Sequence, residues 1–322
     1  MTVSDPGVPG EGRRCPHSRS RSRGAVVLAL LTLAPLTACV GGPSAGASGS
    51  PPRSGPSLEE EVRALVRGFG GHVGVYALRL ETGEEVALAA DEIYPTASMV
   101  KVPLLVGLWQ AAEEGRLDLE ARLTWADSLH YESSGDLLNK LRPGTEVSLW
   151  QLAVQMIVLS DNTASLWIQG LVGGGAVNEW LAAREFEHTR VNSRVEGRRA
   201  DWEVYGWGQS TPREMARLLV MIRNGEVVSE EASDAMYRLL SRSWWPLGAT
   251  SVLPPGVNVA AKPGAVSAAR SEVLLVNAPA GDYVLCVMTR EQEDTRWEAD
   301  NEGDALIRAV SGAVFRHWGG DA

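Results

Sequence analysis

Apolar residues recur with a helical period at Leu58, Val62, Leu65, Val66 and Phe69, and Glu59, Glu60 and Glu61 stand early, where a helix dipole favours acids. A helix over 58–69 is predicted. The period then changes to two: 72–80 alternates as a strand, 81–84 turns, and 85–89 returns to complete a hairpin. The apolar stretch from Ser98 to Glu114 predicts a helix ended by Gly115, with its second turn loosened at Pro103, which lacks the N–H that would bond back to residue 99. Ser148 caps a helix running to Leu159 behind the turn Arg142-Pro143-Gly144, and a second helical run over 165–172 stops at the glycines 173–175. Thr211-Pro212 opens a helix through Ile222, with Pro at its first position. Strand-like runs over 258–261, 272–277 and 283–289 precede a last helix over 304–318. Between 189 and 210 neither period is present, and a stretch of that length without structure in a compact domain is more often functional than accidental. Strands near both ends of the chain, around a helical middle, imply one sheet built from both ends.

Composition narrows the reading. At 322 residues, 44% hydrophobic and 22% charged, the chain is globular and long enough for one large domain or two small ones. The formal charge is −10, and residues 1–39 carry five Arg against Asp5 and Glu11, which leaves −13 for the remainder. So acidic a body is a poor partner for nucleic acid. Of the three cysteines, Cys15 and Cys39 lie in the N-terminal segment and Cys286 lies in a strand-like run, where a buried structural thiol is expected.

The N-terminus reads as a targeting device. Five arginines precede the apolar run 25–36, which is too short to span a membrane and fits the core of an export signal. The run ends in Leu36-Thr37-Ala38-Cys39, which resembles the lipobox of bacterial lipoprotein precursors, where the cysteine becomes N-terminal and lipid-bearing. Residues 40–57, rich in Gly, Ser and Pro, follow as a flexible spacer. The expectation is an exported protein of the cell envelope, lipid-anchored to a membrane through Cys39.

The candidate chemistry begins at Ser98-Met99-Val100-Lys101. Three residues apart on a helix, a hydroxyl and an amine share a face, and a serine near a helix N-terminus offers its own N–H to a developing oxyanion. Lysine is scarce: among 30 Lys and Arg, only Lys101, Lys140 and Lys262 are lysine, which leaves 27 Arg. A lysine kept against that bias points to a place needing an amine able to lose its proton, which a guanidinium cannot do. Ser160-Asp161-Asn162 lies 62 residues beyond Ser98, and Lys262-Pro263-Gly264 falls late, on a predicted strand. Taken singly, Ser160-Asp161-Asn162 also reads as a helix cap and Lys262 as a strand-edge charge. Together and in order, the three motifs resemble those of the class A β-lactamases and their penicillin-binding relatives, over residues 58–322.

The resemblance implies an α/β (α+β) fold of the β-lactamase/transpeptidase type: an antiparallel sheet flanked by helices (about 58–94 and 241–322) with an inserted all-helical part (about 95–240). It implies Ser98 as nucleophile, Lys101 as the group that eases removal of its proton, and Ser160 as proton relay to the leaving nitrogen. Asn162 and Lys262 would bind substrate, Gly264 would belong to the substrate-binding strand, and the N–H groups of Ser98 and Ala265 would form the oxyanion hole. Glu196, 36 residues after Ser160 within Arg194-Val195-Glu196, matches the glutamate that activates the deacylating water. Three positions depart from the family. Ala200 replaces an asparagine that holds the water, and Gly208 replaces the aspartate that pairs with the loop arginine, so that Arg194 is expected to seek Asp201 or Glu203. Pro263 replaces a hydroxyl that binds the substrate carboxylate. The implied function is β-lactam hydrolysis through an acyl-enzyme by a monomer without metal or organic cofactor. The alternatives are a slow acyl-serine hydrolase acting on cell-wall D-Ala-D-Ala peptides and a non-catalytic penicillin-binding module.

Overall fold

Ser57, the last residue of the expected spacer, already belongs to the folded body: its side chain accepts from the Glu60 N–H while Glu60 reaches back to the Ser57 N–H. This reciprocal cap starts α1 (Leu58–Val66). The computed structural model describes residues 55–131, 136–243, 245 and 247–320, which fall in one compact unit. The export signal, Cys39 and most of the spacer lie outside the described residues.

The chain continues through β1 (His72–Arg79), β2 (Glu85–Leu88), β3 (Tyr94–Pro95) and a 3-10 turn (Ala97–Val100) into α2 (Lys101–Glu113). Then come β4 (Arg122–Thr124), β5 (Glu146–Ser148), α3 (Leu149–Val158), α4 (Asn162–Val172) and α5 (Gly174–Ala182). The region around 189–210 holds β6 (Arg190–Val191), α6 (Arg199–Tyr205) and β7 (Gly208–Ser210). The remainder is α7 (Pro212–Arg223), α8 (Glu230–Leu240), β8 (Asn258–Val266), β9 (Ala269–Asn277), β10 (Tyr283–Arg290) and α9 (Glu302–Trp318).

Five strands form one antiparallel sheet in the order β2-β1-β10-β9-β8, so strands from both chain ends do share a sheet, and β8 is an edge. One face, with Val75, Ala77, Leu285 and Val287, packs on Leu58 and Val62 of α1 and Val310 and Val314 of α9. The other, with Val273, Leu275, Cys286 and Met288, packs on α2, α7 and α8 through residues such as Leu105, Met215 and Met236. Covered on both sides, β9 and β10 are buried along nearly their whole length, which is why their sequence shows apolar runs and no alternation.

Several expectations change. Pro103 does not loosen its helix: α2 starts at Lys101, so Pro103 lies in the first turn, where an N–H has no intrahelical partner to lose. The stretch 189–210 is structured, with α6 enclosed by β6 and β7, which pair with each other, β7 pairing also with β3. Besides α6, two further helices, α5 and α8, had no predicted counterpart. Helix α2 itself is buried on nearly every side, the mark of a central helix, and it carries the expected nucleophile segment at its start.

Candidate active site

Ser98 sits half-buried on the 3-10 turn, directly after Ala97, whose backbone is left-handed (φ 44°). Lys101, the first residue of α2, is wholly buried, and its Nζ donates to Ser160 O (2.6 Å), Ser160 Oγ (3.0 Å) and Asn162 Oδ1 (2.8 Å). Ser160 is also left-handed (φ 57°) in the tight link between α3 and α4, which turns its hydroxyl and carbonyl together toward Lys101. From the edge strand β8, the buried Lys262 donates to the same Ser160 Oγ (3.0 Å) and to Pro263 O (2.9 Å). One hydroxyl thus bridges two amines. Burial drives the Lys101 amine well below its ordinary range, repulsion from Lys262 adds to this, and Asp136 and Asp161 pull partly back. Burial likewise lowers Lys262 to about 7. An amine poised to be neutral can take a proton, and a hydroxyl between two amines can pass one on.

The cap reading and the chemical reading of Ser160-Asp161-Asn162 both hold, on different residues. Asp161 caps α4, its Oδ1 accepting from the Ala164 N–H (2.8 Å), while Ser160 and Asn162 face Lys101. A second carboxylate that sequence reasoning missed, Asp136, accepts from the N–H groups of Asn162 (3.1 Å) and Thr163 (2.9 Å). No spacing rule ties Asp136 to the motif; only the folded chain brings it there.

On the strand side, Gly264 approaches the nucleophile turn so closely that a Cβ there would lie 2.4 Å from Thr96 O and 2.9 Å from Ser98 N. Ser271 Oγ joins the two by donating to Thr96 O (3.1 Å). Ser98, Asn162 and Ala265 line both of two cavities, of about 740 and 590 Å³, that meet at the nucleophile. Pro263 stands on the edge strand, where proline is tolerated in a sheet.

Glu196 is not brought to this group. Its side chain is exposed and lines a separate outer pocket with Arg199 and Trp202, and Ala200 is exposed on α6. The loop is held by another arginine than the one expected. Arg198 donates to Asn192 Oδ1 (2.7 Å) and Gln209 Oε1 (3.0 Å) and pairs with Asp201 (3.1 Å). Glu203 pairs with Arg199 (2.8 Å), so neither acid expected for Arg194 pairs with it. At Gly208 a Cβ would meet Val100 Cγ2 at 2.5 Å and Thr96 Oγ1 at 2.9 Å, so an aspartate has no room there. Facing Lys101 from this loop is Trp207, its ring centroid 5.5 Å from Nζ and its indole donating to Gln169 Oε1 (2.7 Å).

Behind Lys262 lies a further buried acid. Lys262 pairs with Val273 in the sheet, so Glu272 points to the opposite face. Its Oε2 accepts from the Ala249 N–H (2.7 Å), while its Oε1 is buried with no partner among the described residues. Burial pushes its carboxyl up to about 7. A proton held more tightly in the folded state than in the unfolded one stabilises fully below the ordinary value of 4.5, and that contribution is lost as pH rises to 7. Lys262, lowered from 10.5, acts in the other sense: its contribution is present above 10.5 and is lost as pH falls through 7. Glu272→Gln removes the first effect. Relative to this variant, the wild type is expected to lose stability between pH 4.5 and 7, on the order of a few kcal/mol. Denaturant unfolding of both proteins at pH 5 and pH 7.5 checks this, and parallel pH dependences would refute it.

Sheet, helices and the Ser98–Lys101–Ser160–Lys262 group together define a serine hydrolase of the β-lactamase and penicillin-binding-protein superfamily. A sequence model described as the beta-lactamase enzyme family matches residues 57–318, and the chain belongs to that family. A beta-lactamase of Amycolatopsis lactamdurans is 27% identical over 268 residues, covering 79% of this chain and 84% of that protein. Among solved structures, PBP-A is 27% identical with a TM-score of 0.70, over 81% of this chain and 95% of that one. A mutant of PBP-A was solved as an acyl-enzyme complex with penicillin G. A beta-lactamase from Sphaerobacter thermophilus is 25% identical with a TM-score of 0.72, over 82% of this chain and 98% of that one.

Proposed function

We propose that this chain opens β-lactam rings by forming an acyl-enzyme on Ser98 and releases the product slowly. The observation that carries the reading is the hydrogen-bonded chain from Lys101 through Ser160 Oγ to Lys262 beside the nucleophile turn. The buried Lys101 amine takes the Ser98 proton as Oγ bonds to the lactam carbonyl carbon. The carbonyl oxygen gains the charge and lies against the N–H groups of Ser98 and Ala265. The C–N bond then breaks, and the nitrogen takes the Ser160 hydroxyl proton, which Lys101 replaces across their 3.0 Å contact. Asn162 and Lys262 hold the substrate, the latter through its carboxylate, and Gly264 lets the strand lie against the nucleophile.

Release is the weak step in this reading. The exposure of Glu196 and Ala200 leaves the ester without the water-activating pair of the efficient class A enzymes. Glu196→Gln is therefore expected to leave the deacylation rate within about twofold of wild type, as a solvent-facing side chain contributes little to a barrier. Single-turnover decay of the penicilloyl adduct, followed by intact mass, tests this. A fall of about tenfold or more would restore Glu196 as the base.

The same exposure, with Pro263 in place of a carboxylate-binding hydroxyl, favours a second reading in which the acylating ligand is a cell-wall D-Ala-D-Ala peptide. Incubation with a chromogenic cephalosporin and with such a peptide separates the readings. Steady product from the cephalosporin supports hydrolysis, a lasting adduct on Ser98 supports slow release, and product from the peptide alone supports the second reading. Absence of both adduct and product would leave a binding module.

The N-terminal residues support export and lipid attachment at Cys39, with the spacer holding the enzyme near a membrane. Cys39→Ser is expected to free the processed protein from the membrane fraction; unchanged partitioning of a processed variant would refute the anchor.

A further inference from the structure

The exposed apolar side chains of this protein are not scattered. Ten large ones are exposed among the described residues, and eight of these line the two cavities that meet at Ser98. Tyr131, Trp202, Val204 and Val266 stand in the larger cavity. Leu159, Trp245, Leu247 and Trp297 stand in the smaller. Single exposed apolar residues need no explanation, but a gathering of them on the walls of a cleft marks a surface that binds something.

Two of these indoles, one in each cavity, have a guanidinium against the ring. Arg199 lies over the Trp202 ring at 4.6 Å and pairs with Glu203 at 2.8 Å. Trp202 borders both the cavity containing Ser98 and the outer pocket that Arg199 lines. On the other side, Arg270 lies 4.7 Å from the Trp297 ring. Arg270 is 1% exposed, and its nitrogens donate to Asp304 and to the carbonyls of Val266, Ala269 and Arg296, so it cannot swing away. Trp297 nevertheless keeps 65% of its surface open. A large flat ring already fixed in place loses little freedom when a second ring stacks on it.

We propose that Trp202 and Trp297 are two stacking platforms that select β-lactams bearing a flat aromatic or heteroaromatic ring on each side of the lactam. The inference rests on the reading that β-lactams acylate Ser98. A sugar ring also stacks on indole, but its hydroxyl groups need polar partners around it. Val204 and Val266 line the cavity of Trp202, and Trp245 and Leu247 that of Trp297, which favours an aromatic ring; both linings also carry polar groups such as Arg194 and Glu298, so the experiment includes a sugar-bearing competitor.

The test is the second-order rate of Ser98 acylation, followed by intact mass, for wild type and the Trp202→Ala, Trp202→Phe, Trp297→Ala and Trp297→Phe variants. The probes are benzylpenicillin against ringless 6-aminopenicillanic acid, and a cephalosporin with a heteroaromatic ring beyond its six-membered ring against one with a methyl group there. In wild type each ring is expected to raise the rate about tenfold. One tryptophan-to-alanine change should bring the penicillin ratio near unity, and the other should do so for the cephalosporin ratio. The phenylalanine variants should keep most of the preference. A purely structural role would lower ring-bearing and ringless rates alike and leave the ratios standing, which would overturn the proposal. A cell-wall disaccharide peptide that outcompetes the aromatic compounds, and loses that advantage in the alanine variants, would overturn it in favour of sugar stacking. Equal acylation of wild type by all compounds removes this inference alone. Absence of acylation by any of them removes it together with the reading beneath it.

Discussion

Replacing Lys101 with arginine is expected to slow acylation of Ser98 by benzylpenicillin about a thousandfold, within the range that a positioned general base contributes. The reason is the state of the amine more than its charge. Lys101 is wholly buried, desolvation and the neighbouring Lys262 drive it toward the neutral form, and Asp136 and Asp161 only partly oppose this. Arginine keeps the positive charge but stays protonated in proteins, so it cannot accept the Ser98 proton. Its larger planar head must also enter a space already bounded by Ser160 O, Ser160 Oγ and Asn162 Oδ1. Because a misfolded variant would also be slow, Lys101→Met serves as the companion. It removes the base while keeping close to the volume of lysine, and it should fold and remain as inactive as the arginine variant. Time courses of adduct formation by mass, beside circular dichroism of each variant, give the answer. Acylation near the wild-type rate in either variant would mean that another group takes the proton.

Gly264→Ala is expected to cost about a hundredfold to a thousandfold in acylation, the loss seen when one oxyanion donor is removed. A Cβ at this position falls 2.4 Å from Thr96 O, 2.7 Å from Ser271 Oγ and 2.9 Å from Ser98 N, all closer than real Cβ contacts. Two of those atoms belong to backbone, so strand β8 must move off the nucleophile turn, and the added methyl covers the Ser98 N–H meant for the carbonyl oxygen. Overpacking of this kind destabilises by about 1–3 kcal/mol, which the fold can absorb. The effect should therefore be larger on acylation than on thermal stability. Adding Ser271→Ala relieves one of the three contacts and should recover part of the stability but little of the rate. A Gly264→Ala protein that acylates within about threefold of wild type would show that this N–H does not bind the oxyanion.

Much of this protein is legible from its sequence, and the legible parts share a cause. Helix and strand periods, the caps at Ser148 and Thr211 and the turns around them depend on neighbours within a few residues, so α3, α7, α9 and the strands of the sheet lie close to where the pattern puts them. Residues of one motif are likewise bound by local geometry: Ser98 and Lys101 sit on consecutive turns, and Ser160 and Asn162 flank the start of α4. Less legible was whatever depends on contacts distant in the chain. Spacing put Glu196 in the role of the water-activating acid, but in a loop where Arg198 ties Asn192, Asp201 and Gln209 together Glu196 is exposed and lines the outer pocket. Asp136 reaches the start of α4 across a connection that no motif marks. Gly208 is glycine because Val100 and Thr96 leave no room for a side chain, and Glu272 is an ionisable group at a position where burial and the Ala249 N–H decide its charge. Local pattern specified the elements and the motif residues, since both are set by short-range sterics and hydrogen bonds. Which side chains face the nucleophile, and in what protonation state, was decided only by tertiary packing, because exclusion of water and the approach of distant charges have no counterpart in an isolated stretch of chain.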